Sequence, residues 1–303
     1  MISTTAFAGL LSVLLTTAGS QEPPAGKVFR VGALVGSSPA PVEQVIEGFR
    51  DEFRRLGLGL DLVVHRLESG ATPAWGGSVD LILALGSGAA SLAEAGSFQV
   101  PVVTSLVMRP SELPHLTRST GVYLEFPPEV EFQWLRRVLP EARRVGVLYS
   151  AQNEEWVGRA EGAARAAGLD LVALRVDRPA DLPRALEAIT RSAEVLLGVA
   201  DLVVLTPETA RTVLLASLRG RVPFVGMSGS WVRAGALYAL DRDYQDVGRQ
   251  CAEMAAALLT GQGAAARPAP PRKVLYAINT LTAERLRVAL SPDILGKASE
   301  VIR

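Results

Sequence analysis

From Lys27 onward, short apolar runs alternate with stretches in which apolar residues recur every three or four positions. The short runs end in small or polar residues, which is typical of buried strands, and the periodic stretches are typical of amphipathic helices. Strands that alternate with helices predict βαβ units around parallel sheets. We therefore expect an α/β protein.

The first half of the chain begins with the run VFRVGALVG and a helix that ends at Gly57. Glycine past the last periodic position is a common helix stop. The predicted strands lie at residues 28–36, 61–67, 79–85, 100–107 and 120–126, and the predicted helices at 41–56 and 88–95.

The alternation then restarts, because RVGVLYS at residues 144–150 parallels RVGALVG at residues 30–36. The predicted strands here are 143–150, 169–176, 201–206, 222–228 and 235–240, and the predicted helices are 129–139, 154–167, 181–192, 207–218 and 244–259. A Pro-rich and Ala-rich linker, the strand VLYAIN and a helical tail follow. The repeated order predicts two similar doubly wound lobes. Because one strand and one helical tail are too few for a third lobe, they must extend the first two, so the chain crosses between the lobes more than once.

Length and composition agree with this architecture. A chain of 303 residues exceeds the size at which one core stops growing, and 49% apolar with 20% charged residues suits a packed globular protein. Lysine plus arginine equals aspartate plus glutamate at 31 each, so no global field favours nucleic acid as a partner.

Cysteine and histidine limit the chemistry available. Cys251 is the single cysteine, which excludes an intrachain disulfide or a redox pair, and its apolar neighbours favour a buried helix face. His65 and His115 are the only histidines, which is poor material for a metal site or a catalytic triad. No cofactor or metal is indicated, and no GxSxG, HExxH or P-loop pattern occurs.

The amino terminus carries an apolar run over residues 7–15, followed by small residues and a Pro-containing stretch. This predicts a secretory signal peptide within residues 1–26, cleaved near Ala18 or Ser20, and hence a periplasmic or extracellular protein. No basic residue precedes the run, so a disordered extension stays an alternative. No cysteine follows it that could carry a lipid anchor.

Ligands of open parallel sheets bind outside the carboxyl ends of the strands, so the loops there hold the candidate contacts. These candidates are small or polar residues in both predicted lobes: Ser37, Ser38, Gly86, Ser87, Gly88, Arg109, Gln152, Asn153, Glu208 and Ser228.

Several of these positions allow more than one interpretation. The segment LILALGSGAAS is a partial dinucleotide-binding motif that lacks the third glycine. The alternatives are an ordinary tight turn and a helix start that binds a ligand carboxylate through its N–H groups and the Ser87 hydroxyl. Ser37 and Ser38 could cap a helix or contact ligand, and Glu208 could favour a helix dipole or pair with a ligand amine.

The last third of the chain resembles a known family. The runs VRAGALYALDRDYQDVGRQCAEMAAALLTGQ and YAINTLTAERLRVALSPDILGKASEVI are similar to the closing segments of ABC transporter substrate-binding proteins with the type I periplasmic fold. The resemblance implies two Rossmann-like lobes joined by a three-crossing hinge. Lobe 1 would comprise residues 27–125 plus 242–262, and lobe 2 residues 126–241 plus 263–303.

The resemblance also implies function. It places ligand contacts in the loops named above and adds Asp241, which precedes the hinge helix. Met108, Arg109 and Pro110 stand where members often carry Asp-Pro, which favours contact with an anion over the usual amine. The implied role is the extracytoplasmic solute-binding component of an ABC importer, a monomer with a small-molecule solute and a membrane permease as partners. A ligand-sensing domain for a signalling system and a two-domain group-transfer enzyme are the alternatives.

Overall fold

The computed structural model describes residues 27–36, 39–67, 75, 78–96, 98–261 and 267–303. Within them the chain forms two sheets with helices on both faces. The predicted α/β class is confirmed, and two mainly parallel sheets agree with the fold that the resemblance implies.

The first sheet is parallel throughout and has the order β2-β1-β3-β4-β5. Its strands are β1 (Val28–Val35), β2 (Gly59–Arg66), β3 (Leu81–Leu85), β4 (Val102–Val107) and β5 (Ser119–Tyr123). Its helices are α1 (Pro39–Arg55) and α2 (Ser87–Ala95). Strands β3 and β4 are almost wholly buried, as their continuous apolar sequences require when both faces of a sheet are covered.

The second sheet has the order β12-β11-β10-β9-β8-β6-β7 and is parallel except between β10 and β11. Its strands are β6 (Arg144–Tyr149), β7 (Asp170–Arg175), β8 (Val195–Leu197), β9 (Phe224–Gly226), β10 (Tyr238–Arg242), β11 (Val274–Asn279) and β12 (Glu300–Ile302). The helices that follow β5 are α3 (Pro128–Val138), α4 (Glu154–Ala166), α5 (Leu182–Ser192), α6 (Pro207–Gly220), α7 (Gly229–Ala234), α8 (Tyr244–Leu259), α9 (Thr280–Leu286) and α10 (Pro292–Lys297).

Helix α8 follows β10 of the second sheet but packs on the first, where Val247 and Cys251 join its buried core. Cys251 is fully buried, which confirms the predicted core role, and burial raises the pKa of its thiol to about 12. The thiol therefore stays protonated and unreactive near neutral pH.

The chain passes between the two sheets three times: after β5, between β10 and α8, and between α8 and β11. The last passage pairs Ala269 with Val122 of β5 before it reaches β11. Arg272 then binds Asp246 at 2.9 Å and 3.0 Å, and Lys273 pairs with Asp243. These ion pairs hold the second and third connections against each other.

One predicted strand is wrong. Residues 201–206 were expected to form a strand, but the strand is β8 at Val195–Leu197, and the run 201–206 is a turn that leads into α6. The Asp201 carboxylate accepts hydrogen bonds from the backbone N–H groups of Val203 and Val204. These two N–H groups therefore bind a side chain and not the carbonyls of a neighbouring strand.

Helices α1 and α8 meet at two glycines. A Cβ built on Gly48 would lie 1.9 Å from the Gln245 carbonyl oxygen, and one on Gly248 would lie 2.1 Å from the Val45 carbonyl oxygen. Any side chain at either position would force the two backbones apart. The seam between these helices therefore requires glycine.

We expect Gly48→Ala to lower the free energy of unfolding by roughly 1–3 kcal/mol, because overpacking outweighs the gain in helix propensity. The matched control is Gly158→Ala in α4, where an added Cβ meets nothing within 4 Å. The control should stabilise the protein by up to about 1 kcal/mol. Denaturant unfolding of both variants measures the difference, and equal stabilisation by both would contradict the close contact.

Candidate functional site

The carboxyl ends of strands from both sheets face each other across a cleft. A cavity of about 40 Å³ lies there, with two carboxylates and an arginine among apolar walls. Its lining residues are Met108, Glu125, Phe126, Glu131, Trp156, Gly198, Val199, Ala200, Met227 and Arg242. The volume suffices for a few water molecules and is far below the roughly 300–1,000 Å³ of small-molecule sites.

A bulge in β4 directs the chain toward this cleft. Leu106 has φ 58°, a left-handed conformation rarely adopted by a leucine, and the register with β5 shifts between Ser105 and Val107. Bulges of this kind commonly re-aim side chains near functional sites. Here the bulge lies two residues before Met108, whose carbonyl accepts from the Glu125 N–H at 2.9 Å.

Arg109, which follows Met108, reaches across the cleft from the first sheet to loops of the second. Its Nη2 donates to the Ala200 carbonyl at 2.5 Å and to the Asn153 side-chain oxygen at 3.1 Å. Two predicted site residues, Arg109 and Asn153, are thereby in direct contact. Hydrogen bonds from a charged donor are among the stronger ones, so this contact stabilises the approach of the two sheets.

Asp201 holds Asn153 in place. Its Oδ2 accepts from the Ser150 N–H, the Ser150 hydroxyl and the Asn153 amide at 2.7–2.9 Å. Burial raises the pKa of Asp201, but these bonds and those from the Val203 and Val204 N–H groups outweigh it, so the pKa is lowered overall. The carboxylate therefore locks the loop after β6 to the loop after β8.

Arg242, at the end of β10, binds backbone just after β5 and just after β9. Its Nε donates to the Leu124 carbonyl at 2.8 Å and its Nη1 to the Met227 carbonyl at 2.9 Å, while the guanidinium stacks on Phe126 at 4.9 Å. Two of the five N–H groups of this arginine thus hold backbone carbonyls, and the side chain also lines the cavity.

The carboxylates of the cavity are less well satisfied. Glu125 lies 4.0 Å from Arg109 Nε and 3.9 Å from Arg159, beyond hydrogen-bond distance, and its Oε1 is buried without a hydrogen bond. Arg109 Nε is likewise buried and unpartnered. Burial raises the pKa of Glu125, an effect that these two arginines partly offset.

Glu131, on the first turns of α3, faces the same cavity. Loss of water around it raises its pKa to about 7; Arg242 lowers the pKa and Glu125 raises it. Among the described residues, no group donates a hydrogen bond to this carboxylate. Tyr238 is fully buried on β10, and burial together with the Glu131 charge raises the pKa of its hydroxyl. This hydroxyl makes no hydrogen bond in the described part of the chain.

The start of α2 is occupied by the protein's own carboxylate. The Ser87 hydroxyl donates to Glu112 at 2.8 Å, and the Arg109 N–H donates to the same side chain at 3.0 Å. Gly86, with φ 99°, makes the turn into the helix, as glycine allows. The Ser87 hydroxyl at the start of α2 and the Arg109 loop are thus linked through the Glu112 carboxylate.

The remaining predicted residues do not line this cavity. Asp241 accepts from the Gly229 N–H at 3.3 Å, and Ser228 shares a hydrogen bond with Ser230 at 2.7 Å. Gln152 and Glu208 are exposed, and Thr206 lowers the pKa of the Glu208 carboxyl by hydrogen bonding. Ser37 and Ser38 lie outside the described residues.

Sequence reasoning missed four residues that build the site: Glu125, Glu131, Asp201 and Arg242. Glu131 falls inside an amphipathic helix, where a carboxylate is ordinarily solvated. The pair Pro127–Pro128 is the one local signal, since it starts α3 at the cleft and so directs the first turns of that helix toward the cavity.

A family model described as ABC transporter substrate binding protein matches residues 74–302, well over half of the chain. The chain belongs to the ABC transporter substrate-binding protein family. The resemblance read from the closing segments is thereby confirmed. Members of this family bind a small-molecule substrate for an ABC transporter, typically outside the cytoplasm, and are generally not enzymes.

Solved structures share the fold of this substrate-binding protein at low identity. The ligand-free, open structure of CD0873, a substrate-binding protein with adhesive properties from Clostridium difficile, has a TM-score of 0.73 at 16% identity and covers 91% of this chain and 99% of its own. An ABC domain in complex with L-Trp from Streptococcus pneumoniae has a TM-score of 0.61 at 18% identity, covering 91% and 100%.

A conserved domain protein from Vibrio cholerae has a TM-score of 0.60 at 21% identity and covers 91% of this chain and 100% of its own. No match was found among curated proteins. Within the described residues, no helix has both the length and the apolar character needed to span a bilayer, and no group of three or more His, Cys, Asp or Glu could hold a metal ion.

We expect Asp201→Asn to lower the free energy of unfolding at pH 7 by about 2 kcal/mol, because an amide cannot accept all the bonds that the carboxylate accepts. Since the folded-state pKa is lowered, this stabilisation is present above the usual aspartate pKa and is lost as the pH falls through the folded value. The gap between wild type and variant should narrow below about pH 4.

Chemical denaturation at several pH values measures this gap. Asp170→Asn is the matched control, because Asp170 is exposed at the start of β7; it should change stability by less than about 0.5 kcal/mol. A pH-independent gap for Asp201→Asn would contradict the proposed role of the ionised form.

Proposed function

We propose that this protein is the extracytoplasmic solute-binding component of an ABC importer, and that it binds a small polar molecule between two lobes that close about a hinge. The observation that carries the proposal is the contact of Arg109 with Ala200 and Asn153 across the cleft, above a cavity with unpartnered polar atoms. Buried polar atoms without partners are rare in folded proteins and often mark functional positions.

The proposed lobes are residues 27–125 plus 242–262 and residues 126–241 plus 263–303, and the proposed state is a monomer. The ligand contacts would come from the strand-end loops, with Arg109 and Asn153 at the centre. Because the cavity measures about 40 Å³, the lobes must separate to admit a ligand. Rotation about the three connections would achieve this, as hinge closure does in periplasmic binding proteins.

Closure would also serve transport. A ligand held between the lobes favours the closed form by its differential affinity for the two forms. The joined rims of the lobes then form a surface that a permease can distinguish from the open protein. Export by the apolar segment at residues 7–15 would place the protein on the side of the membrane where the solute is captured.

A thermal-shift screen across amino acids, nucleosides, sugars, amines and organic anions tests the proposal. A compound that binds the folded state at 100 times its Kd should stabilise the protein by about 2.7 kcal/mol. Small-angle X-ray scattering with the stabilising compound should then show a smaller radius of gyration. Turnover of a compound without stabilisation by any class would overturn a binding role.

We expect Arg109→Ala to shift the ligand-free protein toward separated lobes by tenfold or more, because two hydrogen bonds from a charged donor are lost. The measurement is the radius of gyration by X-ray scattering. Arg165→Ala, at the exposed last turn of α4, is the control and should leave the radius unchanged. An unchanged radius for Arg109→Ala would remove this contact from the closure mechanism.

A further inference from the structure

Positive charge exceeds negative charge around the cleft cavity. The guanidiniums of Arg109 and Arg159 lie 4.0 Å and 3.9 Å from Glu125, and Arg242 lines the cavity itself. Among the described lining residues, Glu125 and Glu131 carry the carboxylates. Burial raises the pKa of Glu131 to about 7, so this side chain carries only part of a negative charge at neutral pH. Three guanidiniums against at most two carboxylates leave an excess of at least one positive charge.

Arg242 forms no ion pair in the described part of the chain. Its bonds to the carbonyls of Leu124 and Met227 use two of its five N–H groups, which leaves three on Nη1 and Nη2. The guanidinium also lies over the Phe126 ring, so its orientation is fixed by three contacts. Glu131 lies too far away for an ion pair and is partly exposed, so water can reach its oxygens. A fixed guanidinium with free N–H groups suits the two oxygens of a carboxylate.

A second unused donor belongs to Arg109. Its Nε is buried and makes no hydrogen bond among the described residues, although the Nη2 of the same side chain is engaged across the cleft. The Oε1 of Glu125, 4.0 Å away, is also without a hydrogen bond, but its charge is already balanced by Arg109 and Arg159. One donor and one acceptor therefore match across this gap, whereas the free N–H groups of Arg242 have no such counterpart.

The volume of the cavity suits one small functional group. About 40 Å³ has room for about three water molecules. A carboxylate has three heavy atoms and fits this space better than the larger phosphate group. Trp156, Met108 and Met227 supply apolar walls that suit the carbon atoms next to such a group. The rest of the ligand would then extend into the cleft between the proposed lobes.

From these observations we infer that the ligand is an organic anion whose carboxylate is bound by the free N–H groups of Arg242, with Arg109 Nε as a second donor and Trp156 against the adjoining apolar part. The inference rests on the proposed binding role and names the ligand class for the same cavity. The sequence favoured an anion contact at Arg109, whereas the free donors assign the main contact to Arg242.

Acids paired with their own amides test the ligand class. Thermal-shift assays of the whole chain use phenylacetate, indole-3-acetate and succinate, each beside its amide, with phenethylamine as a cationic probe. Each acid that stabilises the protein in the broader screen is compared with its amide in the same way. We expect stabilisation by acids and its loss in the amides, because an amide lacks the charge and one of the two acceptor oxygens.

Equal stabilisation by an acid and its amide, or stabilisation confined to amines or neutral compounds, would overturn this inference and leave the proposed binding role intact. No stabilisation by any class of compound would count against the binding role itself. The two failures are therefore distinguishable.

Substitutions then locate the contact. Arg242→Lys should weaken binding of the stabilising acid by about tenfold or more, because an ammonium group cannot replace the planar fork. Glu131→Gln should tighten binding of the same acid by about threefold or more at pH 8, because it removes a negative charge beside the cavity. That pH keeps the wild-type side chain mainly ionised, since its pKa is about 7. Glu129→Gln, exposed on the same helix, is the control and should change affinity less than about twofold.

Isothermal titration calorimetry measures these affinities, and circular dichroism checks that each variant is folded. The gain expected for Glu131→Gln cannot arise from misfolding, so it decides the matter if Arg242→Lys does not fold. Unchanged affinity in a folded Arg242→Lys protein, or weaker binding in Glu131→Gln, would overturn the assignment of an anion to this cavity.

Discussion

The arrangement of the cleft depends on one series of hydrogen bonds, from Asp201 through Asn153 to Arg109. Asp201 is buried and fully used as an acceptor, so it fixes the loops after β6 and β8 as one unit. Asn153, held by Asp201, in turn accepts a hydrogen bond from the Arg109 guanidinium of the opposite sheet. Since the guanidinium carries charge and also binds the Ala200 carbonyl, the two sides approach closely enough to bury Glu125 and leave only a small cavity.

The same contacts explain how one site can be both polar and confined. Parallel strands end in loops whose carbonyls have no ladder partners, and Arg109 and Arg242 supply donors to three of them. Burial raises the pKa values of the nearby carboxylates of Glu125 and Glu131, and the surrounding arginines offset only part of that effect. If the proposed lobes separate, Glu125 would return to water and its pKa would fall, so opening would favour release of a proton from this side chain.

Much of this could be predicted from the sequence. The alternation of apolar runs and amphipathic stretches predicted the five strands of the first sheet and five of the seven in the second, but misplaced β8 and missed β12 in the predicted helical tail. Burial on two faces leaves a strong local pattern in strands such as β3 and β4, and the closing segments indicated the family. The prediction for residues 201–206 was wrong, since an aspartate followed by apolar residues can begin a turn as well as precede a strand.

The site was predicted less completely for a physical reason. Arg109 and Asn153 could be named because they end strands, where topology alone places them at the cleft. Glu131 and Arg242 lie at the cavity because α3 begins at a double proline and because β10 ends beside Leu124, and neither position has a spacing that the sequence can reveal. Which arginine donors are already engaged is a property of three-dimensional packing alone.

The seam of α1 and α8 has a consequence for the order of folding. Gly48 touches a helix that lies about 200 residues later in the chain, as the bond from Gln245 to Glu47 also shows. The first sheet therefore cannot cover its face until the whole of the second sheet up to β10 has been synthesised. Contacts of such long sequence separation are slow to form. During synthesis the first sheet would be the last to be covered, and its uncovered apolar face is where a chaperone would be needed longest.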